Sequence, residues 1–157
     1  MQDDVILFID APIAEVWSLV SDVTRIGELS TVCRSCAWDD AALAGTVGAW
    51  FTGHNAIGDF TWDTHCQVTV AEPGREFTFI NHGPSGDHEL VRWGYTFEPE
   101  GSGTRATESW QVLPAYPDFV RAGDPNLDVT GRVEGMAQMA RDGIKGTLGN
   151  LKRVAEA

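Results

Sequence analysis

The residue with the clearest chemical potential is a carboxylate that alternation places on an apolar strand face. Residues 104–113 alternate in polarity as a strand does, so Glu108 shares its face with three hydrophobic side chains. These are Ala106, Trp110 and Val112. An unpaired carboxylate is costly in an apolar core, so Glu108 should be paired, protonated or turned toward a wet cavity. In a cavity it could act as a general acid or base.

Two other interpretations of Glu108 require no pocket. An ion pair with an arginine such as Arg92 or Arg105 would compensate the charge within a solid core. The alternation could also be displaced by one residue, which would turn Glu108 to solvent. The sequence leaves all three interpretations open.

Aromatic side chains accompany Glu108 on the faces that alternation assigns to the interior. A period of two predicts six strands, at residues 33–39, 47–55, 60–71, 75–82, 89–98 and 104–113. Their inward aromatic residues are Trp38, Phe51, Phe60, Trp62, Phe77, Phe79, Trp93, Tyr95, Phe97 and Trp110. Three further polar residues, Asn55, Thr64 and Asn81, share these faces. Sparse polar groups among aromatic side chains are typical of a small-molecule pocket.

One long amphipathic helix should cover the other side of this pocket. Apolar residues recur every three or four positions from Val129 to Leu151, which predicts a helix over about residues 127–154. Such a helix is roughly 40 Å long, so a sheet must curl around it. The predicted ligand-binding residues, two of them on this helix, are Trp38, Phe51, Asn55, Trp62, Thr64, Phe79, Asn81, Trp93, Tyr95, Glu108, Trp110, Met136 and Ala140.

The remaining elements complete the predicted architecture. Residues 5–9 form a strand, a helix begins after Pro12, and a second short helical stretch covers residues 24–29. Short turn signals between the six alternating runs indicate an antiparallel meander. We therefore predict one α+β domain over residues 1–157, with a curved antiparallel sheet of about seven strands around the long C-terminal helix. The connection at residues 114–125 is either a lid over the cavity or an ordinary connecting loop.

The cysteines are predicted to be reduced thiols without a metal. Residues three apart on a regular strand face opposite sides, so Cys33 and Cys36 should not close on each other or on one ion. The same argument separates His65 from Cys66 and disfavours a thiol–imidazole nucleophile. No phosphate loop or helical metal motif is present. We therefore predict no cofactor and no metal site.

Charge and hydropathy argue against several classes of partner. The formal charge of −12 repels phosphates, so no nucleic-acid partner is predicted. No stretch approaches the run of about eighteen apolar residues that suggests a membrane span, so no stable membrane insertion is expected. The acidic start at residues 1–4 differs from a basic secretory signal and favours a cytoplasmic location.

Four segments resemble motifs of one protein superfamily. Residues 11–17 (APIAEVW) resemble its "ap-x-x-x-vw" opening, and residues 51–55 (FTGHN) its "F-x-G-x-N" strand. Residues 72–77 (EPGREF) resemble "EPGRRF", and residues 103–110 (GTRATESW) resemble "GTRVTESW". With the predicted element order, the whole chain resembles the helix-grip fold of the START-related SRPBCC superfamily, in its bacterial polyketide cyclase/dehydrase-like branch.

The resemblance implies a deep cavity between sheet and helix that binds an apolar or aromatic molecule. It implies that Asn55, Glu108 and Trp110 are cavity positions. The sequence departs from the family pattern at Ala106, where valine is usual, and at residues 113–117, so the pocket could be larger or its mouth different.

Three functional classes follow from these observations. The first is a binding protein for a small hydrophobic molecule, lipid-like or polyketide-like. The second is a polyketide cyclase, aromatase or dehydratase, with Glu108 as general acid/base and Asn55 orienting a carbonyl. The third is a partner-binding subunit of a stress or toxin–antitoxin system that uses an exposed Trp50. A homodimer is compatible with each of them.

Overall fold

The strands form a seven-stranded antiparallel sheet, and the last element of the chain is a long helix. The structure, a computed structural model, describes residues 1–157. Its helices and strands are β1 Gln2–Ile9, α1 Ile13–Ser21, α2 Ile26–Leu29, β2 Cys33–Trp38, β3 Trp50–Ile57, β4 Phe60–Glu72, β5 Glu76–Asn81, β6 Val91–Glu100, β7 Gly103–Val112, α3 Tyr116–Gly123 and α4 Val129–Ala155. The strand order is β1-β7-β6-β5-β4-β3-β2, so β1 and β2 form the two edges. This arrangement confirms the predicted helix-grip fold.

Tight turns and two irregularities shape the sheet. The hairpins β3–β4 and β6–β7 turn at Gly58 and Gly101, whose φ angles of 59° and 58° lie in the left-handed region that glycine adopts without strain. The register shifts between Cys33 and Ser35 in β2 and between Val68 and Val70 in β4. Such bulges bend a strand and increase its twist, which helps a sheet to curve around a helix.

The long helix α4 has two different halves. Asp128 caps its start by accepting a hydrogen bond from the Gly131 backbone N–H at 3.1 Å. In the second half Ile144, Leu148 and Leu151 are almost fully buried and belong to the central core. In the first half only Ala137 and Ala140 are buried. The second half therefore anchors the helix, and the first half covers the space that remains.

The two short helices fix α4 against the sheet. Trp17 of α1 makes edge-to-face contacts with Phe77 and Phe97, with ring centroids 6.1 and 6.2 Å apart. The side chain of Asn150 in α4 donates a hydrogen bond to the carbonyl of Leu29, the last residue of α2, at 2.9 Å. These contacts hold α4 at one end of the sheet's inner face and leave the inward residues of β3–β7 free to line a space.

Two expectations about the periphery require correction. Residues 114–125, predicted to be a lid or an ordinary connecting loop, contain the helix α3 at Tyr116–Gly123, in which Tyr116 is buried. Phe60, predicted to point inward, is 68% exposed. It lies at the first residue of β4, beside the β3–β4 turn, where it stacks on Trp62 with ring centroids 5.3 Å apart.

Replacing Gly146 by alanine is expected to destabilise the protein. A Cβ at this position of α4 would lie 2.5 Å from Cγ2 of Thr31, so the Thr31 side chain, the helix or the segment at residues 30–32 must shift. Overpacking of this kind costs about 1–3 kcal/mol. Gly149→Ala is the matched control, since nothing lies within 4 Å of its Cβ position and alanine gains up to about 1 kcal/mol of helix propensity.

Urea unfolding of both variants measures the difference in free energy. The double variant Gly146→Ala/Thr31→Ser, which removes the clashing methyl group, should recover most of the loss. Equal stabilities of Gly146→Ala and Gly149→Ala would contradict the predicted close contact.

Candidate functional site

A cavity of about 260 Å³ lies between the inner face of the sheet and residues 136–147 of α4. Of the 26 residues that line it, 18 are hydrophobic. Strands β2–β7 contribute one wall, and Met136, Met139 and Ala140 of α4 contribute the other. The segment at residues 30–32, which follows α2, forms part of the rim next to Gly143. The space has the size and apolar lining of a site for a small hydrophobic molecule.

Most of the predicted ligand-binding residues meet in this cavity. Those in the lining are Phe51, Asn55, Trp62, Thr64, Phe79, Asn81, Trp93, Tyr95, Glu108, Met136 and Ala140. Trp38 and Trp110 lie outside it. Trp38 packs edge-on against Phe51 with ring centroids 5.5 Å apart, and Trp110 is buried in the core at 1% exposure. Regular alternation assigned both tryptophans to the correct side of the sheet, but at positions beyond the cavity.

Glu108 is the only carboxylate in the cavity lining, and it is buried at 3% exposure. The residues Tyr95 and Glu108 stand directly opposite each other on β6 and β7, and the Tyr95 hydroxyl donates to Glu108 Oε1 at 2.8 Å. Glu108 Oε2 has no hydrogen-bond partner. Burial raises the pKa of Glu108 to about 8, against the opposing effect of the Tyr95 hydrogen bond. At neutral pH the carboxyl group is therefore mainly protonated, and Oε2 is a hydrogen-bond donor without an acceptor.

No arginine neutralises Glu108, so the structural ion pair considered from the sequence is wrong. Arg92 donates instead to the Gln111 side chain at 2.7 Å, on the outer face of the sheet. Arg105 pairs with Glu98, also on the surface. The predicted alternation assigned Glu108 to the correct face of β7, and its buried carboxyl group faces the cavity.

The two asparagines of the lining differ in what they offer to a ligand. Asn55 Nδ2 donates to the Trp62 carbonyl at 3.2 Å and to Thr64 Oγ1 at 3.3 Å, so only its oxygen is free. Asn81 Oδ1 accepts from the Gly83 backbone N–H at 2.8 Å, which leaves its amide nitrogen for a ligand. Asn81 and Glu108 can thus donate to a ligand oxygen, whereas Asn55 can accept from a hydroxyl group.

The positions of the thiols contradict the prediction that Cys33 and Cys36 face opposite sides of β2. The bulge between Cys33 and Ser35 brings Cys33 and Cys36 onto the same face, with their sulfur atoms 3.5 Å apart. Both line the cavity. Cys66 also lines it but is almost fully buried. A bulge inserts one residue into the ladder and so reverses the alternation, which a regular-strand analysis cannot anticipate.

Sequence reasoning also missed the rim of the site. Residues 30–32 carry no periodic signal, and they reach the cavity because α2 directs the chain across the end of α4. Gly143, next to the predicted stripe residue Ile144, and Thr147, three residues after it, line the cavity too. Gly143 lies three residues after Ala140, and Thr147 lies four residues after Gly143, and this helical spacing was the signal that could have identified them.

No group of three or more His, Cys, Asp or Glu side chains is arranged to hold a metal ion. No helix combines the length and the apolar character needed to cross a membrane.

Comparison with known proteins places the chain in a family. The family model described as "Polyketide cyclase / dehydrase and lipid transport" matches residues 7–156. A polyketide cyclase-like protein of Corynebacterium glutamicum, known from its solution structure, is 37% identical, with 99% of this chain and 91% of that chain covered and a TM-score of 0.70. No protein with a curated description matches.

Two aromatase/cyclase structures share the fold. The di-domain ARO/CYC StfQ of steffimycin biosynthesis has a TM-score of 0.72 at 12% identity, and the di-domain ARO/CYC BexL has 0.73 at 18% identity. These alignments cover 99% and 100% of this chain and 50% of each di-domain chain. At such identities the likeness shows the fold alone. The match over nearly the whole sequence, and the 37% identity to the Corynebacterium protein, show that this chain belongs to the polyketide cyclase/dehydrase and lipid transport family.

Proposed function

We propose that this protein binds a small hydrophobic or aromatic molecule of the lipid or polyketide kind between the sheet and α4. The observation that carries the proposal is the apolar cavity of about 260 Å³ with a buried, unpartnered carboxyl oxygen in its wall. A polar atom left unsatisfied in an apolar site costs free energy, so a ligand oxygen that accepts from Glu108 would be stabilised there. Family membership supports the same class of ligand.

The polar groups of the wall define which hydrophobic molecules fit. Protonated Glu108 and the free amide nitrogen of Asn81 both donate, so they suit a carbonyl oxygen. The rest of the wall contributes aromatic faces such as Trp62, Phe79 and Trp93. A flat, conjugated or aromatic ketone satisfies both requirements better than a saturated hydrocarbon or a charged acid.

A second candidate function is catalysis of cyclisation, aromatisation or dehydration in the same cavity. It is favoured by the buried position of Glu108 in the cavity wall, which raises its pKa to about 8 and lets this group give and take a proton near neutral pH. Asn55 contributes less than first expected, because both of its amide protons are used within the sheet. The enzyme hypothesis therefore rests on Glu108, with Tyr95 as its positioning residue.

The partner-binding function was based on an exposed Trp50. Trp50 lies on the outer face but is only partly exposed, and it packs against His82 with ring centroids 4.7 Å apart. A tryptophan held in this way contributes no large protruding apolar patch. We therefore propose no partner at this surface.

Tryptophan fluorescence provides the direct test of binding. Titration with a panel of aromatic ketones and fatty acids should change the emission saturably, because Trp62 and Trp93 line the cavity. In a Trp93→Phe variant this change should be clearly smaller, with Trp62 reporting the remainder. Trp50→Phe is the matched control, since Trp50 lies outside the cavity, and it should keep the ligand-induced change. Equal effects of the two substitutions would contradict binding in the cavity.

A substitution at Glu108 separates the two candidate functions. With a β-polyketone substrate, an enzyme should lose at least about a hundredfold in turnover in Glu108→Gln while its affinity stays within a few-fold. A binding protein shows no turnover in either form. Turnover that persists in Glu108→Gln would remove this residue from the mechanism.

A further inference from the structure

The wall of the cavity carries a pair of thiols that the proposed binding function does not use. Cys33 and Cys36 face the same space with their sulfur atoms 3.5 Å apart, because the β2 bulge reverses the alternation between them. Each is partly exposed, so a molecule in the cavity can reach them. Two reactive atoms at this separation can act on one bound molecule.

The backbone opposite the pair leaves room for this chemistry. Gly53 on β3 stands directly across from Cys36, and a Cβ there would lie 3.3 Å from the Cys36 sulfur and 3.4 Å from the Cys33 sulfur. Any larger residue would crowd both sulfur atoms against the sheet. Glycine at position 53 therefore gives the sulfur atoms space within the wall.

The two thiols are not equivalent. The hydrogen bond between the sulfurs lowers the pKa of Cys33 more than burial raises it, and the same hydrogen bond, together with burial, raises that of Cys36. When the pair loses one proton, Cys33 therefore carries the negative charge, and Cys36 donates the remaining proton toward it. Cys66 is different again, since burial raises its pKa to about 12. A thiolate beside a protonated neighbour is the arrangement of a nucleophile with its own proton donor.

We propose that Cys33 is a covalent attachment site for α,β-unsaturated carbonyl compounds bound in the cavity, with Cys36 as the neighbouring proton donor. The inference rests on the proposed binding function and names a ligand class for it. Three features point to this class. The wall donates hydrogen bonds from Glu108 and Asn81, which suit a carbonyl oxygen; it is aromatic, which suits a conjugated system; and it holds a nucleophilic sulfur.

The reaction is a conjugate addition. The Cys33 thiolate forms a bond to the β-carbon, and the electron pair of the carbon–carbon double bond moves to the α-carbon and carbonyl oxygen as an enolate. The α-carbon then takes a proton from the Cys36 thiol, and Cys36 regains from solvent the proton that Cys33 released. The net change is the addition of one S–H across one C=C, so no oxidant or other reagent is needed.

Intact-mass measurement with benzylideneacetone, an aromatic enone, tests the inference. The natural protein should gain one probe mass, mapped to Cys33, at least about tenfold faster than N-acetylcysteine at the same pH, because binding orients the probe and the pair supplies a thiolate. Benzylacetone, its saturated counterpart, cannot add and should slow the coupling by competition.

Four substitutions at the three cysteines assign the roles. Cys33→Ser should abolish the adduct, and in Cys66→Ser the adduct should still map to Cys33, since Cys66 is buried and protonated. Cys36→Ala should slow coupling about threefold or more, whereas Cys36→Ser, which keeps an O–H donor, should stay within about twofold of the natural rate. Equal loss in both Cys36 variants would overturn its role as donor.

The outcomes distinguish the attachment site from the binding function. If benzylacetone binds by tryptophan fluorescence but benzylideneacetone forms no adduct while N-acetylcysteine does, attachment is overturned and binding stands. If coupling rises linearly with probe concentration and benzylacetone does not slow it, the thiols react as ordinary surface groups and the inference fails. If neither benzylacetone nor the wider panel binds, the proposed function fails together with the inference.

Discussion

The Glu108→Gln variant is expected to become more stable than the natural protein as the pH rises from about 5 to about 9. In the natural protein the pKa of Glu108 is about 8 when folded and has an ordinary value of 4.5 when unfolded, because burial disfavours the charged carboxylate. The folded state therefore binds more protons than the unfolded state in this range. Stability is greatest below about pH 4.5, falls as pH rises, and levels off above about pH 8.

The size of this effect should be large for a single side chain. One pKa unit corresponds to about 1.4 kcal/mol, so the free energy of unfolding of the natural protein should fall by up to about 5 kcal/mol relative to the glutamine variant. Glutamine preserves the shape and the acceptor for the Tyr95 hydroxyl, and it does not ionise. The difference in stability between the two proteins therefore reports the ionisation of Glu108 alone.

Urea unfolding of both proteins at several pH values measures the effect. Surface carboxylates such as Asp3 and Glu28, whose pKa values are lowered by neighbouring arginines, titrate in both proteins and cancel in the difference. A Glu134→Gln variant provides the control, because it makes the same substitution at an exposed position of α4, away from the cavity. Parallel curves for the natural protein and Glu108→Gln would show that Glu108 ionises as readily in the folded chain as in the unfolded one.

The Ala140→Phe variant is expected to lose ligand affinity and to keep its fold. Ala140 lies on the first half of α4 with its methyl group in the cavity lining, so a phenyl ring there occupies part of the 260 Å³ otherwise open to a ligand. Loss of burial for two or three carbon atoms of a ligand costs about 2 kcal/mol, which is roughly thirtyfold in affinity. Filling a void does not by itself lower the free energy of unfolding.

Gln138→Phe is the matched control for this prediction. Gln138 is exposed two residues earlier on the same helix, so its replacement adds the same ring on the solvent side. Titration by tryptophan fluorescence and thermal unfolding of both variants give the comparison. Unchanged affinity in Ala140→Phe would place the ligand outside the cavity.

Regular elements explain why much of the site could be predicted. The β3–β4 and β6–β7 ladders are regular, so alternation assigned Phe51, Trp93 and Glu108 to the correct face. The pairing of Tyr95 with Glu108 depends only on the short turn between β6 and β7, which sets the register of both strands. The periodicity of α4 likewise identified Met136 and Ala140.

The errors arise where local backbone geometry departs from a regular period. The β2 bulge reversed the relation of Cys33 to Cys36, and no alternation pattern contains the position of a bulge. Helix α3 was missed because its eight residues include a proline and several polar side chains, and its only buried residue is Tyr116. The sequence also did not show how far the cavity extends along each strand, because this extent depends on where α4 crosses the sheet. Trp38 and Trp110 fell outside the lining for that reason.

The two unpaired edges of the sheet have a consequence for ligand size. Strands β1 and β2 are not hydrogen-bonded to each other, and helices occupy the opening between them. A ring of strands closed by hydrogen bonds would have an interior diameter set by its strand number and stagger. Here the inner width depends on side-chain packing beneath α4, so substitutions on one helical face can resize the chamber while every backbone ladder stays intact.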